Sequence, residues 1–119
     1  MTKILRIDTD PRRSRTVVYN GVAYVGGMTA DDKSQDIKGQ TQQVLNKIDG
    51  FLAKAGTDKQ KLLTAQIWLK DIERDFEEMN QVWNLWTAPE AAPTRATAQC
   101  RMASSSTLIE IIVTAAVVD

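Results

Sequence analysis

The dipeptide Asn20–Gly21 is the sequence feature that most constrains how this chain folds. It separates two short runs of β-branched and aromatic residues, Thr16–Tyr19 and Val22–Val25. Asn-Gly readily adopts the positive φ angles that a two-residue hairpin turn requires. The pattern therefore predicts a β-hairpin, whose second strand ends at the glycine pair Gly26–Gly27.

After the hairpin the period of the apolar residues changes from two to 3.6. Apolar residues recur on one stripe over Ile37–Ala55, which predicts an amphipathic helix of about five turns. Ser34 or Asp36 can cap its start, and Gly56 stands where a left-handed C-cap residue is common. A second helix is predicted over about Glu73–Trp86, with carboxylates in its first turns.

Further strands are predicted over Lys3–Asp8, Leu62–Leu69, Thr94–Met102 and Leu108–Val118. The order β-β-β-α-β-α-β-β in 119 residues predicts a single domain, residues 1–119. Its expected class is α+β, a two-layer sandwich in which two helices cover one face of a mixed sheet of about six strands. The last strand is apolar on both faces, so we expect a second copy of the chain to cover the other face.

The residue types that are scarce exclude several kinds of chemistry. Histidine is absent and cysteine occurs once, at Cys100. A Ser-His-Asp triad, a Cys-His pair and His-ligated zinc are therefore excluded, and we predict no metal site. No intrachain disulfide can form and the start of the chain lacks an apolar signal segment, so we expect a cytoplasmic location.

The charge pattern argues against two classes of partner. Fifteen basic and fifteen acidic residues give a formal net charge of zero, which provides no general attraction for nucleic acid or an anionic membrane. The longest uncharged stretch, Thr16–Ala30, has fifteen residues, and a membrane-spanning helix needs about 20. Arg12, Arg13 and Arg15 form a local basic cluster, interpreted as a solvated loop with phosphate or RNA contact as the alternative.

Two charged residues stand out because each lies in a run that is otherwise uncharged. Glu110 is the only charged residue in 108–118, and Arg95 is the only one in 91–100. Burial of either charge without a partner costs on the order of several kcal/mol. Two interpretations remain open. The residues form a structural ion pair on adjacent strands, or Arg95 binds a small carboxylate while Glu110 handles a proton or a water.

These residues lie in motifs that resemble a known family. Pro93–Thr97 and Leu108–Ile111 resemble the C-terminal signature of the Rid (YjgF-type) family, in which an arginine after Pro-x is followed at this spacing by a glutamate in an Ile-Glu-Ile strand. Tyr24–Gly27, Ile67–Ile72 and Phe76–Asn80 resemble three other family segments, in the family's order. The resemblance extends over nearly the whole chain.

The resemblance implies a chorismate-mutase-like fold assembled as a homotrimer, with ligand pockets at the subunit interfaces and no cofactor. It further implies hydrolysis of 2-imino and enamine acids, such as 2-aminoacrylate and 2-iminobutyrate, to 2-keto acids and ammonia. Arg95 would then bind the substrate carboxylate, and Glu110 would orient the attacking water and transfer a proton. The backbone of Gly27 and Thr97 would line the pocket. The alternative is a non-catalytic trimer that binds a keto acid as a sensor or regulator.

The chain departs from the deaminase pattern at three positions. Gly26 replaces the family's serine before the glycine, and Thr97 replaces the cysteine two residues after the arginine. Arg13 stands near the position of the family's N-terminal tyrosine. Arg13 is therefore a candidate for an additional contact with an anionic ligand.

Overall fold

A computed structural model describes residues 3–118 of the chain; the ends of the predicted domain, residues 1, 2 and 119, lie outside the described part. The strands are β1 (Leu5–Thr9), β2 (Ser14–Tyr19), β3 (Val22–Met28), β4 (Leu62–Leu69), β5 (Thr94–Gln99) and β6 (Ile109–Ala116). The helices are α1 (Ile37–Lys54) and α2 (Ile72–Trp86), and a single 3-10 turn (Lys59–Lys61) precedes β4. The observed order confirms the predicted one.

Local sequence signals explain the starts and ends of several elements. Asn20 and Gly21 have φ angles of 52° and 77°, as the hairpin turn requires. The side chain of Asp36 caps α1 by accepting a hydrogen bond of 2.9 Å from the backbone N–H of Gly39. Gly56, with φ of 82°, follows the helix in the left-handed conformation. Within residues 3–118, neither helix combines the length and the apolar character needed to cross a membrane.

All six strands form one mixed sheet in the order β1-β2-β3-β6-β4-β5. Only β4 and β5 pair in parallel, and they are connected through α2. Strand β6 lies in the interior of the sheet, antiparallel to both β3 and β4, which buries its β-branched side chains well. The prediction that Arg95 and Glu110 lie on adjacent strands is therefore wrong, because β4 separates their strands.

The helices cover one face of the sheet, and the hydrophobic core lies between them and the strands. Alternate residues of β6 are buried in this core, and the residues between them are only half-buried on the opposite face. We call that opposite face, which no helix covers, the open face. Its residues include Val17, Tyr24, Gln66, Trp68, Glu110 and Thr114.

One buried polar side chain connects the start of α1 to the loop before β6. The Gln40 side chain is fully buried. Its amide nitrogen donates to the carbonyl oxygens of Lys33, Gln35 and Ser106 at 3.3, 3.1 and 3.0 Å. Its Oε1 accepts a hydrogen bond of 3.0 Å from the backbone N–H of Leu108. A single side chain therefore satisfies backbone groups from two loops that would otherwise be buried without partners.

Candidate functional site

Three side chains of α2 hold Arg95. Arg95 lies on the edge strand β5 opposite Ala65 of β4, which is buried, so its side chain is on the helix-covered face. Its Nη1 donates a hydrogen bond of 2.8 Å to Oδ1 of Asn80. The guanidinium carbon lies 5.5 Å from the ring centre of Trp83 and 5.9 Å from that of Phe76. These contacts fix both the position and the plane of the guanidinium group.

The charge of Arg95 has no acidic partner among residues 3–118. Partial burial lowers the pKa of Arg95 from its ordinary value, because the guanidinium loses contact with water. Arginine nevertheless remains charged at neutral pH. No ion pair among residues 3–118 includes it. A partly desolvated cation held in this way favours an anionic ligand, and its planar fork matches a carboxylate.

The same contacts correct one of the two sequence interpretations. Arg95 and Glu110 do not form a structural ion pair within the described chain. Arg95 is on the helix-covered face of β5, whereas Glu110 is on the open face of β6 opposite Trp68. Within one copy the ion-pair interpretation is wrong, because each residue's pairing partner on β4 places it on a different face.

Glu110 lies directly against Gly27 of β3. A Cβ atom added to Gly27 would be 2.0 Å from Oε2 of Glu110 and 3.0 Å from its carboxyl carbon. Regular pairing of β3 with β6 is interrupted between Val25 and Met28, and the glycine pair lies in this irregular stretch. The missing side chain of Gly27 leaves room for the Glu110 carboxylate in this position over the neighbouring strand. The structure thus brings two of the sequence candidates together.

The other two sequence candidates lie elsewhere. Thr97 is on β5 two residues after Arg95, on the same face, and its buried hydroxyl has no hydrogen-bond partner within residues 3–118. Arg13 is exposed in the turn between β1 and β2. Its backbone N–H donates to Oδ1 of Asp10 at 3.0 Å, and its carbonyl oxygen accepts from the Asp10 N–H at 2.8 Å. Arg13 makes no described hydrogen bond or ion pair with the other candidates.

The candidates therefore form two half-sites. The arginine half-site consists of Arg95 and Thr97 on the helix-covered side of β5, and the glutamate half-site consists of Glu110 and Gly27 on the open face. Within one copy the two half-sites are on opposite faces of the sheet and β4 lies between them. A single copy does not present both charged groups to one small ligand.

Sequence reasoning assigned the aromatic residues Phe76 and Trp83 to the core and missed their contact with Arg95. One signal was available, because Asn80 is a polar residue on the apolar stripe of α2 and such a residue needs a partner when it is buried. No group of three or more acidic or cysteine side chains within the described part of the chain is arranged to hold a metal ion.

Replacement of Gly27 by alanine tests the contact with Glu110. The added methyl group overlaps the carboxylate, which is the end of a flexible side chain, so we expect the Glu110 side chain to rotate away at a cost of about 0.5–1.5 kcal/mol of stability. Gly50→Ala is the matched control, because a Cβ there meets no atom within 4 Å. In the interior of α1 it should add about 0.5–1 kcal/mol. Urea denaturation measures both changes; a Gly27→Ala midpoint raised in the same way as that of Gly50→Ala contradicts the contact.

Known proteins resemble this chain over almost its whole length. The family model described as Endoribonuclease L-PSP matches residues 4–117. A RutC family protein of Haemophilus ducreyi is 45% identical over 96% of this chain and 97% of its own length. The RutC family protein YoaB of Escherichia coli K12 is 36% identical over 96% of this chain and 98% of its own length.

Solved structures agree with the sequence matches. NMB1025 of Neisseria meningitidis, a member of the YjgF family, superposes with a TM-score of 0.95 at 38% identity, over 98% of this chain and 97% of its own. YyfA of Yersinia pestis, a member of the Rid family, gives a TM-score of 0.84 at 25% identity, over 98% and 99%. The similarity includes the strands of both half-sites.

Proposed function

The chain belongs to the endoribonuclease L-PSP family, which includes the YjgF, RutC and Rid proteins, and from that premise we propose that it hydrolyses small 2-imino or enamine acids. The products are the corresponding 2-keto acid and ammonia. One observation carries the proposal: the Arg95 guanidinium is held by α2 through Asn80 and two aromatic rings, and it has no carboxylate partner among residues 3–118. An α-carboxylate of the substrate provides that partner.

In the proposed reaction the two half-sites have different tasks. Arg95 binds the carboxylate and fixes the position of the neighbouring C2 atom. Glu110 accepts a proton from a water molecule as the water oxygen attacks C2 of the imine, and then returns a proton to the nitrogen. This gives a carbinolamine, whose hydroxyl proton is then passed by Glu110 to the nitrogen. The C–N bond breaks, nitrogen leaves as ammonia, and the water oxygen remains as the keto oxygen. No redox change occurs, and no cofactor is required for the balance of this step.

We further propose that each active site is formed by two copies of the chain in a homotrimer. The arginine half-site of one copy can face the glutamate half-site of the next in a head-to-tail arrangement, and such an arrangement closes as a ring when the rotation between copies is one third of a turn. The half-buried open face, with Tyr24 48% exposed, provides the surface that the next copy covers. A ring of three copies would have three times the chain mass of 13.2 kDa.

The second candidate function is binding of a keto acid without turnover, as a sensor or regulator. The observation that favours it is Gly26, which brings no hydroxyl group to the position where the deaminase pattern has a serine. A site that lacks this hydroxyl can still bind the carboxylate through Arg95.

The experiment that separates the two functions generates 2-iminobutyrate in situ with an amino-acid oxidase and follows release of 2-ketobutyrate. A deaminase accelerates the release above the spontaneous rate, and Glu110→Gln removes the acceleration while thermal stabilisation by 2-ketobutyrate persists. Stabilisation of the wild type without acceleration indicates the binding function. The absence of both in the wild type contradicts both candidates.

The family is described as Endoribonuclease L-PSP, so RNA cleavage is a further activity to test. The zero net charge supplies no general attraction for phosphate, so retention of a labelled RNA is not expected at physiological salt. RNA that is retained and cleaved, with a steep salt dependence, would favour the ribonuclease activity over the deaminase.

A further inference from the structure

A second arginine, Arg15, lies on the open face, and the glycine pair Gly26–Gly27 lies between its strand and that of Glu110. Thr16 of β2 pairs with Val25 of β3, and both are buried under the helices. The preceding residue, Arg15, is therefore on the open face, next to Gly26 in the same register. A Cβ atom added to Gly26 would be 3.3 Å from the carbonyl oxygen of Arg15, so the two backbones are in close contact.

Glu110 approaches the same glycine pair from the other side, because its carboxylate lies over Gly27. Across the open face the order is thus Arg15 on β2, the glycine pair on β3 and Glu110 on β6. The β3–β6 pairing puts the glycine pair level with Ile112, so Glu110 lies two residues farther along β6. Two strand spacings of about 4.8 Å and two residues of about 3.3 Å place the Cα atoms of Arg15 and Glu110 about 12 Å apart. The glycines contribute no side chain to the space between the two charged groups.

The charge of Arg15 is not neutralised within the described chain, since no ion pair among residues 3–118 includes it. Asp8, which lies opposite Arg15 on β1, forms an ion pair of 2.9 Å with Lys54. Two further carboxylates, those of Asp10 and Asp31, are also engaged elsewhere. The largest cause of the lowered pKa of Asp10 is a hydrogen bond from the backbone N–H of Arg12. The largest cause of the lowered pKa of Asp31 is a hydrogen bond from the Lys47 side chain. Arg15 contributes only a smaller electrostatic effect to each of them.

This inference rests on the proposed function: we propose that Arg15 binds a second carboxylate of the substrate and so directs the site toward 2-imino dicarboxylates of four or five carbons. Arg95 of one copy binds the α-carboxylate, and the reacting C2 lies near Glu110 of the next copy. A second carboxylate near Glu110 is repelled unless a cation is close, and Arg15 on the far side of the glycine pair supplies that cation. Arg13 is less suited, because it lies in the turn and not on the strand face.

Calorimetric titration with two stable product analogues tests the proposal. We expect the wild type to bind 2-ketoglutarate at least about tenfold more tightly than 2-ketobutyrate, because of one additional charge-assisted contact. Arg15→Gln should remove this difference and leave the affinity for 2-ketobutyrate within about twofold. Arg12→Gln, an exposed arginine from the adjacent turn, is the matched control and should leave both affinities unchanged.

Three results overturn the assignment of Arg15: equal affinities of the wild type for the two acids, a preference that persists in Arg15→Gln, or a preference lost in Arg13→Gln instead. In all three, 2-ketobutyrate still binds in an Arg95-dependent manner, so the proposed function stands. If neither acid binds, or if Arg95→Ala binds both as the wild type does, the proposed function fails and the dicarboxylate site fails with it.

Discussion

Arg95→Ala is expected to weaken binding of 2-ketobutyrate by about 100-fold or more, because it removes both hydrogen bonds of a charge-assisted pair from a partly desolvated site. The free energy of unfolding of the Arg95→Ala variant should differ little from that of the wild type. Arg95 contributes one hydrogen bond to Asn80 and two ring contacts, and its partial burial opposes them. We expect a loss below about 2 kcal/mol in urea denaturation. Titration calorimetry measures the change in affinity.

Arg95→Lys is the matched control, since it keeps the charge and loses the planar fork. It should bind with an affinity between those of the wild type and Arg95→Ala, about tenfold weaker than the wild type. The account fails if Arg95→Ala loses about 3–5 kcal/mol of stability, as for a broken buried ion pair, while Arg95→Lys binds as the wild type does. Arg95 would then be a structural residue.

Gln40→Glu is expected to cause the largest loss of stability, about 3–5 kcal/mol at neutral pH. The fully buried amide donates to three carbonyl oxygens. A carboxylate has no proton to donate and places a negative charge among those oxygens, so both the charge and the carbonyl groups are left buried without partners. Urea denaturation at neutral pH, followed by circular dichroism, gives the free energy of unfolding.

The matched control for this prediction is Gln42→Glu. Gln42 is on the same helix two residues later, but it is exposed and its amide donates a hydrogen bond of 3.0 Å to the Asn46 side chain. The same chemical change there should alter stability by less than about 0.5 kcal/mol. Similar unfolding midpoints for the two variants would mean that the Gln40 network does not connect α1 to the loop before β6.

Much of the fold could be predicted because its signals are local. The φ angles of Asn20 and Gly21, the cap at Asp36 and the left-handed Gly56 each depend on a few neighbouring residues. The interior position of β6 followed from side chains that are apolar on both faces. These features depend on backbone preferences and on burial, which a sequence pattern reports directly.

The arrangement of the candidate site could not be predicted in the same way. Which face Arg95 occupies depends on its register with Ala65, and that register depends on a parallel pairing formed through the whole of α2. The apparent proximity of Arg95 and Glu110 came from the short loop between their strands, yet β4 pairs with both strands and lies between them. Long-range pairing of this kind leaves no local trace in a sequence.

Complementation between two inactive variants tests the composite site most directly. Arg95→Ala and Glu110→Gln are each expected to lose turnover of 2-iminobutyrate, because each variant damages every site of the trimer. When the two are co-expressed in equal amounts, random mixed trimers contain sites that take Arg95 from one copy and Glu110 from the other. About one quarter of the wild-type sites should then be restored. Turnover of the co-expressed mixture near one quarter of the wild-type rate is the predicted result, and turnover no higher than that of either variant alone contradicts the account.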